Sequence, residues 1–206
     1  MFRNAIIAVL FLINVSAVAS GGLKSLVSQV DTATTSITFQ RLAEESEKII
    51  VLQANNWLAY YWCSFNYTAA AYLSPKNNKD ALLDKAQLML DKSSELKKNE
   101  VELLLLQSWI YSTRIAVAPG NRIKEFGNKA NIAREKAHVL DPNNPRYYFL
   151  KGSFFYFAPP AAGGGKTKAK PLFEESIAKF KSYRPKGDLY PKWGGKQAKE
   201  LLESCN

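Results

Sequence analysis

The sequence predicts an all-α protein, a short solenoid of about three stacked helical hairpins with capping helices at both ends. Three observations predict it. Apolar residues recur every three or four positions along most of the chain, while few segments alternate with the two-residue period of a half-buried strand. A strongly apolar, aromatic segment is followed by a smaller, charged amphipathic one, and this happens three times. The anchors Trp57, Leu103 and Tyr148 recur at intervals of about 45 residues. Stacked helix pairs produce such a period, because one pair alone cannot bury its apolar face.

Each element follows from its pattern. Ser36 to Leu52 carries Ile37, Leu42, Ile49, Ile50 and Leu52 around the charged Glu44, Glu45, Glu47 and Lys48. Asn56 to Leu73 is aromatic and alanine-rich and ends at Ser74-Pro75. Lys79 to Leu96 sets Leu82, Leu83, Ala86, Met89, Leu90 and Leu96 on one stripe, the mark of an amphipathic helix. Glu100 to Val117 is mostly apolar and stops before Pro119-Gly120. Phe126 to Leu140 spaces Ala130, Ala133, Ala137 and Leu140 by threes and fours. Tyr147 to Phe157 is aromatic and is halted by Pro159-Pro160. Thr167 to Phe180 follows, with Thr167 as the expected N-cap and Pro171 in the first turn, where backbone N–H groups lack intrahelical partners. Lys196 to Ser204 closes the chain.

Ala130, Ala137 and the run Leu140-Asp141-Pro142-Asn143-Asn144-Pro145 resemble the second helix and inter-repeat turn of a tetratricopeptide repeat. Tyr148, Gly152 and Phe155 match the large, small and aromatic positions of the next first helix, and Ala169, Phe173 and Ile177 fit its partner. The resemblance implies a right-handed α-solenoid with repeats near 55–96, 100–141 and 145–182 and a C-terminal cap at 193–206, all within one domain, 20–206. It is loosest in the second repeat. There Arg134 stands where an aromatic is expected and Gln107 where a small residue is, and Lys151 replaces a core leucine in the third. The segments around Trp57-Leu58-Ala59-Tyr60-Tyr61, Gly163-Gly164-Gly165-Lys166 and Trp193-Gly194 also resemble a group of small exported bacterial repeat proteins.

The first 19 residues read as a leader. Arg3 supplies a basic start, Ala5 to Ile13 is apolar, and Ala17-Val18-Ala19 places small residues before a cleavage point at Ser20. The apolar run is too short to span a bilayer, which takes about 20 residues. No cysteine follows the cleavage point, so a lipoprotein is not expected. The expectation is a periplasmic or secreted protein. Export also argues against nucleic acid as a partner, despite a net charge of +10. That charge is uneven: from Pro142 to Asn206 stand 12 Lys/Arg and 5 Asp/Glu, a balance of +7. A basic third of this kind is a solvated surface or an attraction for acidic partners and anionic envelope material.

The residues for chemistry are sparse, so no enzyme, cofactor or metal is expected. Gly165-Lys166-Thr167 copies the tail of a phosphate-binding loop, but Pro160 stands where the leading glycine belongs. The single histidine, His138, sits at a helix end, where a surface or structural role is expected. Cys63 and Cys205 form a candidate disulfide in an oxidising compartment, and a buried free thiol at Cys63 is the alternative.

What remains is a binding face. In tetratricopeptide repeats the first helices line the concave surface, which the resemblance places here at Asn55, Leu58, Trp62 and Phe65, then Leu104, Ser108 and Tyr111, then Arg146, Phe149, Ser153 and Tyr156. The chosen set is Leu58, Trp62, Phe65, Tyr111, Arg146, Phe149 and Tyr156. Repeats that grip a C-terminal carboxylate use Lys, Asn and Arg at the positions held here by Leu58, Trp62, Leu104, Ser108, Phe149 and Ser153, and those cations are absent. The expectation is therefore a non-catalytic module that holds a protein, peptide or partner helix by aromatic burial. Two alternatives stay open. A basic structural protein could attach to anionic membrane or wall material, or the aromatics could pack against the N-terminal helix or the Lys196–Ser204 helix.

Overall fold

A computed structural model describes residues 22–206, and the expected leader lies outside the described residues. All regular structure among these residues is helical. It falls into two compact units, one ending at Lys98 and one beginning at Asn99.

The first unit holds α1 (22–30), α2 (Ser36–Leu52), α3 (Trp57–Leu73) and α4 (Lys76–Leu96). Thr35 caps α2 by accepting from the Thr38 N–H at 3.1 Å, and Asn56 caps α3 by accepting from Leu58. The central helix is α3, buried on every side from Tyr61 to Ala71 with α2 on one flank and α4 on the other. Short polar side chains lock these contacts. The Ser64 hydroxyl donates to Ala86 O at 2.8 Å across the α3–α4 contact, and Asn66 donates to the Ser46 hydroxyl across α2–α3. Lys79 reaches back to the last turn of α3 and donates to Ala71 O and Tyr72 O, adding a cation to the carbonyl end of that helix.

The second unit holds α5 (Val101–Ile115), α6 (Pro119–Leu140), α7 (Pro145–Phe157), α8 (Lys166–Ser182) and α9 (Gly195–Glu203). Here α5 pairs with α6 and α7 with α8, while α9 lies against α8 and α7. The Ser108 hydroxyl donates to Ala130 O at 2.9 Å, the counterpart of Ser64 in the first unit. Gly152 holds the same place in α7, where a Cβ would lie 2.8 Å from the Phe173 ring. Residues 64, 108 and 152 are 44 apart, so the repeat is carried by its small pair-contact residues. This corrects the register read from sequence by one position: the small residue of the second pair is Ser108, not Gln107.

Two helix starts also differ from expectation. Helix α5 stops before Pro119 as expected, but α6 begins at Pro119 rather than at Phe126, because proline fits the first turn, where its missing N–H has no intrahelical role. Helix α8 starts at Lys166 behind Gly165, whose φ of 115° suits glycine, so Thr167 is not the N-cap and Pro171 lies inside the helix.

Candidate functional site

The sequence-selected residues are mostly occupied by packing. In α3, Leu58 is half-buried, and Trp62 is 2% exposed and wedged between Tyr61 and Phe65. Phe65 meets Phe39 of α2 edge to face at 6.4 Å. In the second unit Tyr111 lies beside Phe126 of α6, and Phe149 meets Trp193 at 6.2 Å. Trp193, just ahead of α9, also lies 5.4 Å from Trp109, so the segment that follows α8 covers this part of α5 and α7. Tyr156 stays half-buried next to Phe157, which is 59% exposed, and beside Phe173.

Arg146 does not face solvent. Its Nε and Nη2 donate to both Glu102 oxygens at 2.7 and 2.6 Å, and Nη2 also donates to the Tyr183 hydroxyl. Asn144 adds a bond to the same carboxylate, and the Tyr183 and Trp193 rings close over the guanidinium. This is a buried staple joining α5, α7 and the segment after α8. Cys63 and Cys205 are free thiols. Cys63 is wholly buried with Sγ toward Ala43 O, and burial pushes its pKa up.

Sequence reading missed a polar seam between α6 and α7. At its loop end the His138 ring stacks on Tyr147, with centroids 4.0 Å apart and planes 13° apart, and Tyr148 meets it edge-on at 5.8 Å. In the middle, the Tyr147 hydroxyl donates to Glu135 at 3.0 Å, and Lys151 Nζ reaches both Glu135, at 3.1 Å, and the Tyr147 oxygen, at 2.6 Å. Toward the far end Arg134 is 2% exposed. It donates to the Ser108 hydroxyl and to Asn131 Oδ1, lies over the Phe154 ring at 5.3 Å, and leaves Nε without a partner.

The electrostatics of the seam are lopsided. Burial alone would raise the Glu135 pKa, but the bonds from Lys151 and Tyr147 outweigh it and hold the carboxyl below its usual range. Burial pulls the Arg134 guanidinium down without neutralising it. Both hydrogen-bond acceptors of Arg134 are neutral, and the one carboxylate of the seam is already engaged by Lys151 and Tyr147. Two cations thus share one anion in a partly desolvated place, where an unpaired charge is expensive.

The signal for this seam was in the sequence. Arg134 and Lys151 were two of the departures from the repeat pattern, and the fold brings them together. The residue 44 positions before Arg134 is Leu90, 1% exposed in the core of the first unit.

These features define a small all-helical protein of paired hairpins with an aromatic, positively biased seam. Among the described residues no helix is long and apolar enough to cross a membrane, and no group of three or more His, Cys, Asp or Glu side chains is placed to hold a metal ion. No family model and no curated protein matches the chain. Among solved structures the chain is similar to the HusA haemophore from Porphyromonas gingivalis, with a TM-score of 0.80 and 27% identity, over 91% of this chain and 92% of that one.

Proposed function

We propose that the protein is an exported, non-catalytic carrier that captures haem or a closely related flat tetrapyrrole, built on tetratricopeptide-like helix pairs. The observation that carries this reading is the likeness to a haemophore across nine-tenths of both chains. The chemistry of the second unit supports it. A flat macrocycle with an apolar body and carboxylates at its edge asks for part-exposed aromatic rings next to cations, and the second unit supplies Tyr148 beside Lys179 and Phe155 beside Lys168. A second reading, capture of a peptide or partner helix, is favoured by the aromatic end of α7, where Phe157 remains largely exposed next to Tyr156.

The two readings part in one titration. Ferric haem added to the chain from Ser20 onward should give a saturable, shifted Soret band distinct from free haem. A spectrum that stays that of free haem at every protein concentration overturns the carrier reading and leaves the peptide one.

A further inference from the structure

We infer that the α7–α8 end of the second unit is a docking surface for an anionic lipid bilayer. The Phe157 ring and the turn that follows it enter the bilayer interface, and Lys166, Lys168 and Lys170 meet the phosphate headgroups. The inference goes beyond the carrier reading and does not depend on it. From Pro142 to Phe173 the chain holds not one Asp or Glu. The cations of that run divide in two. Arg146 and Lys151 are paired inside the unit with Glu102 and Glu135, at 2.6 and 3.1 Å. The other three stand after the turn: Lys168 donates to Gly163 O, Lys170 to Asn206 Oδ1, and Lys166 is exposed. Both acceptors are neutral, so the charge of this group is left for a partner.

Ahead of these lysines the chain turns apolar surface outward. Phe157 is 59% exposed, and Pro159, Pro160, Ala161 and Ala162 are exposed after it. The turn is nonetheless ordered. Backbone N–H groups of Gly163, Gly164 and Gly165 donate to Pro160 O, Pro159 O and Phe155 O at 2.9, 3.1 and 2.8 Å. A Cβ on Gly164 would lie 2.1 Å from Ala158 O, so the two arms of the turn touch. Tyr156 braces the Phe157 ring edge to face, with centroids 5.0 Å apart. Little freedom is left to lose on docking.

The neighbouring loop repeats the arrangement. The starts of α5 and α7 meet at the Glu102–Arg146 pair, while α6 and α8 run back against them. The α5–α6 loop therefore stands at the same end of the unit as the α7–α8 turn. Just beyond it Ile123, 38% exposed, lies between Arg122 and Lys124. Glu125, the one acid between Leu103 and Arg134, is paired with Lys129. A peptide is held along a groove, whereas apolar tips flanked by cations at the end of helix pairs fit a flat anionic surface. Aromatic and apolar groups enter such an interface, and lysines extend to the phosphates.

The test is sedimentation of the chain from Ser20 onward with vesicles of phosphatidylcholine, alone or mixed equally with phosphatidylglycerol. Wild type should bind the mixed vesicles and not the neutral ones, and more weakly as salt rises. Lys166→Gln, Lys168→Gln and Lys170→Gln together should weaken binding on the order of a hundredfold, at about fivefold per lysine. Lys92→Gln, Lys97→Gln and Lys98→Gln, which remove the same charge from the first unit, should leave binding within about twofold of wild type. Phe157→Ala should weaken it about tenfold. Phe157→Trp should bind like wild type, and its added emission should be quenched by brominated acyl chains. Equal losses from the two lysine sets overturn the docking surface in favour of the overall charge. Emission from vesicle-bound Phe157→Trp that brominated chains leave unquenched overturns the entry of the tip. Failure of the mixed vesicles to retain wild type at low salt overturns the lipid surface. So does competition by soluble polyglutamate that Phe157→Ala does not alter, and that result gives the lysines to an acidic protein.

Discussion

Arg146 and Glu102 are both taken out of water, so each depends on the other to offset its desolvation. Removing one partner leaves the other buried and alone. Arg146→Ala or Glu102→Gln should therefore destabilise the fold by about 3–5 kcal/mol, read from urea unfolding. The double variant Arg146→Met with Glu102→Leu should recover most of that loss, because a well-packed apolar pair carries no desolvation cost. Recovery of nothing would mean that Asn144 and Tyr183, not the ion pair, hold the staple. At this scale the sequence was least legible. Arg146 lies in helical register with Phe149 and so reads as a face residue. Its true partner is 44 positions away, and nothing local announces it. Arg134 and Lys151 were visible only as misfits, since a sequence shows that a charge departs from a pattern before it shows what the charge meets.

Elements were far more legible than residues. The stripes of α2, α3, α4, α5 and α7 gave their ends to within a few positions, because burial demands periodicity over many residues at once. The misses fell where one residue decides: Pro119 opening α6, and Gly165 opening α8. The pair contacts are also decided by single small residues, and two glycines separate packing from propensity. Glycine costs about 1 kcal/mol relative to alanine inside a helix. At Gly127, inside α6, an added methyl meets Ile123 no closer than 3.6 Å, so Gly127→Ala should raise the melting temperature. At Gly152 the same methyl lies 2.8 Å from the fully buried Phe173 ring. There overpacking of about 1–3 kcal/mol exceeds the propensity gain, and Gly152→Ala should lower the melting temperature. If both variants shift it the same way, the small residue at 152 is not what sets the α7–α8 distance.

At the scale of the whole molecule the charge now has a direction. A net charge of +10 with a balance of +7 beyond Pro142 coincides with the unit that carries the seam, whereas residues 20–141 hold 15 Lys/Arg against 13 Asp/Glu. From sequence this excess fitted a solvated surface, an acidic partner or anionic envelope material equally well, because composition carries no geometry. On the proposed carrier reading the ligand is a dianionic haem and the excess acts on the encounter: a protein field of one sign speeds arrival of the opposite charge, and salt screens it over about 10 Å at 0.1 M. The association rate of ferric haem, followed by stopped-flow absorbance, should therefore fall as salt rises from about 0.01 to 0.5 M, while the dissociation rate, governed by short-range contacts in the complex, changes little. Haem dimethyl ester, without the carboxylates, should associate at a rate nearly independent of salt. Equal salt sensitivity of both ligands would assign the basic surface to a task other than steering. Anionic vesicles that retain the protein at low salt and release it at high salt would then identify that task as attachment to the envelope.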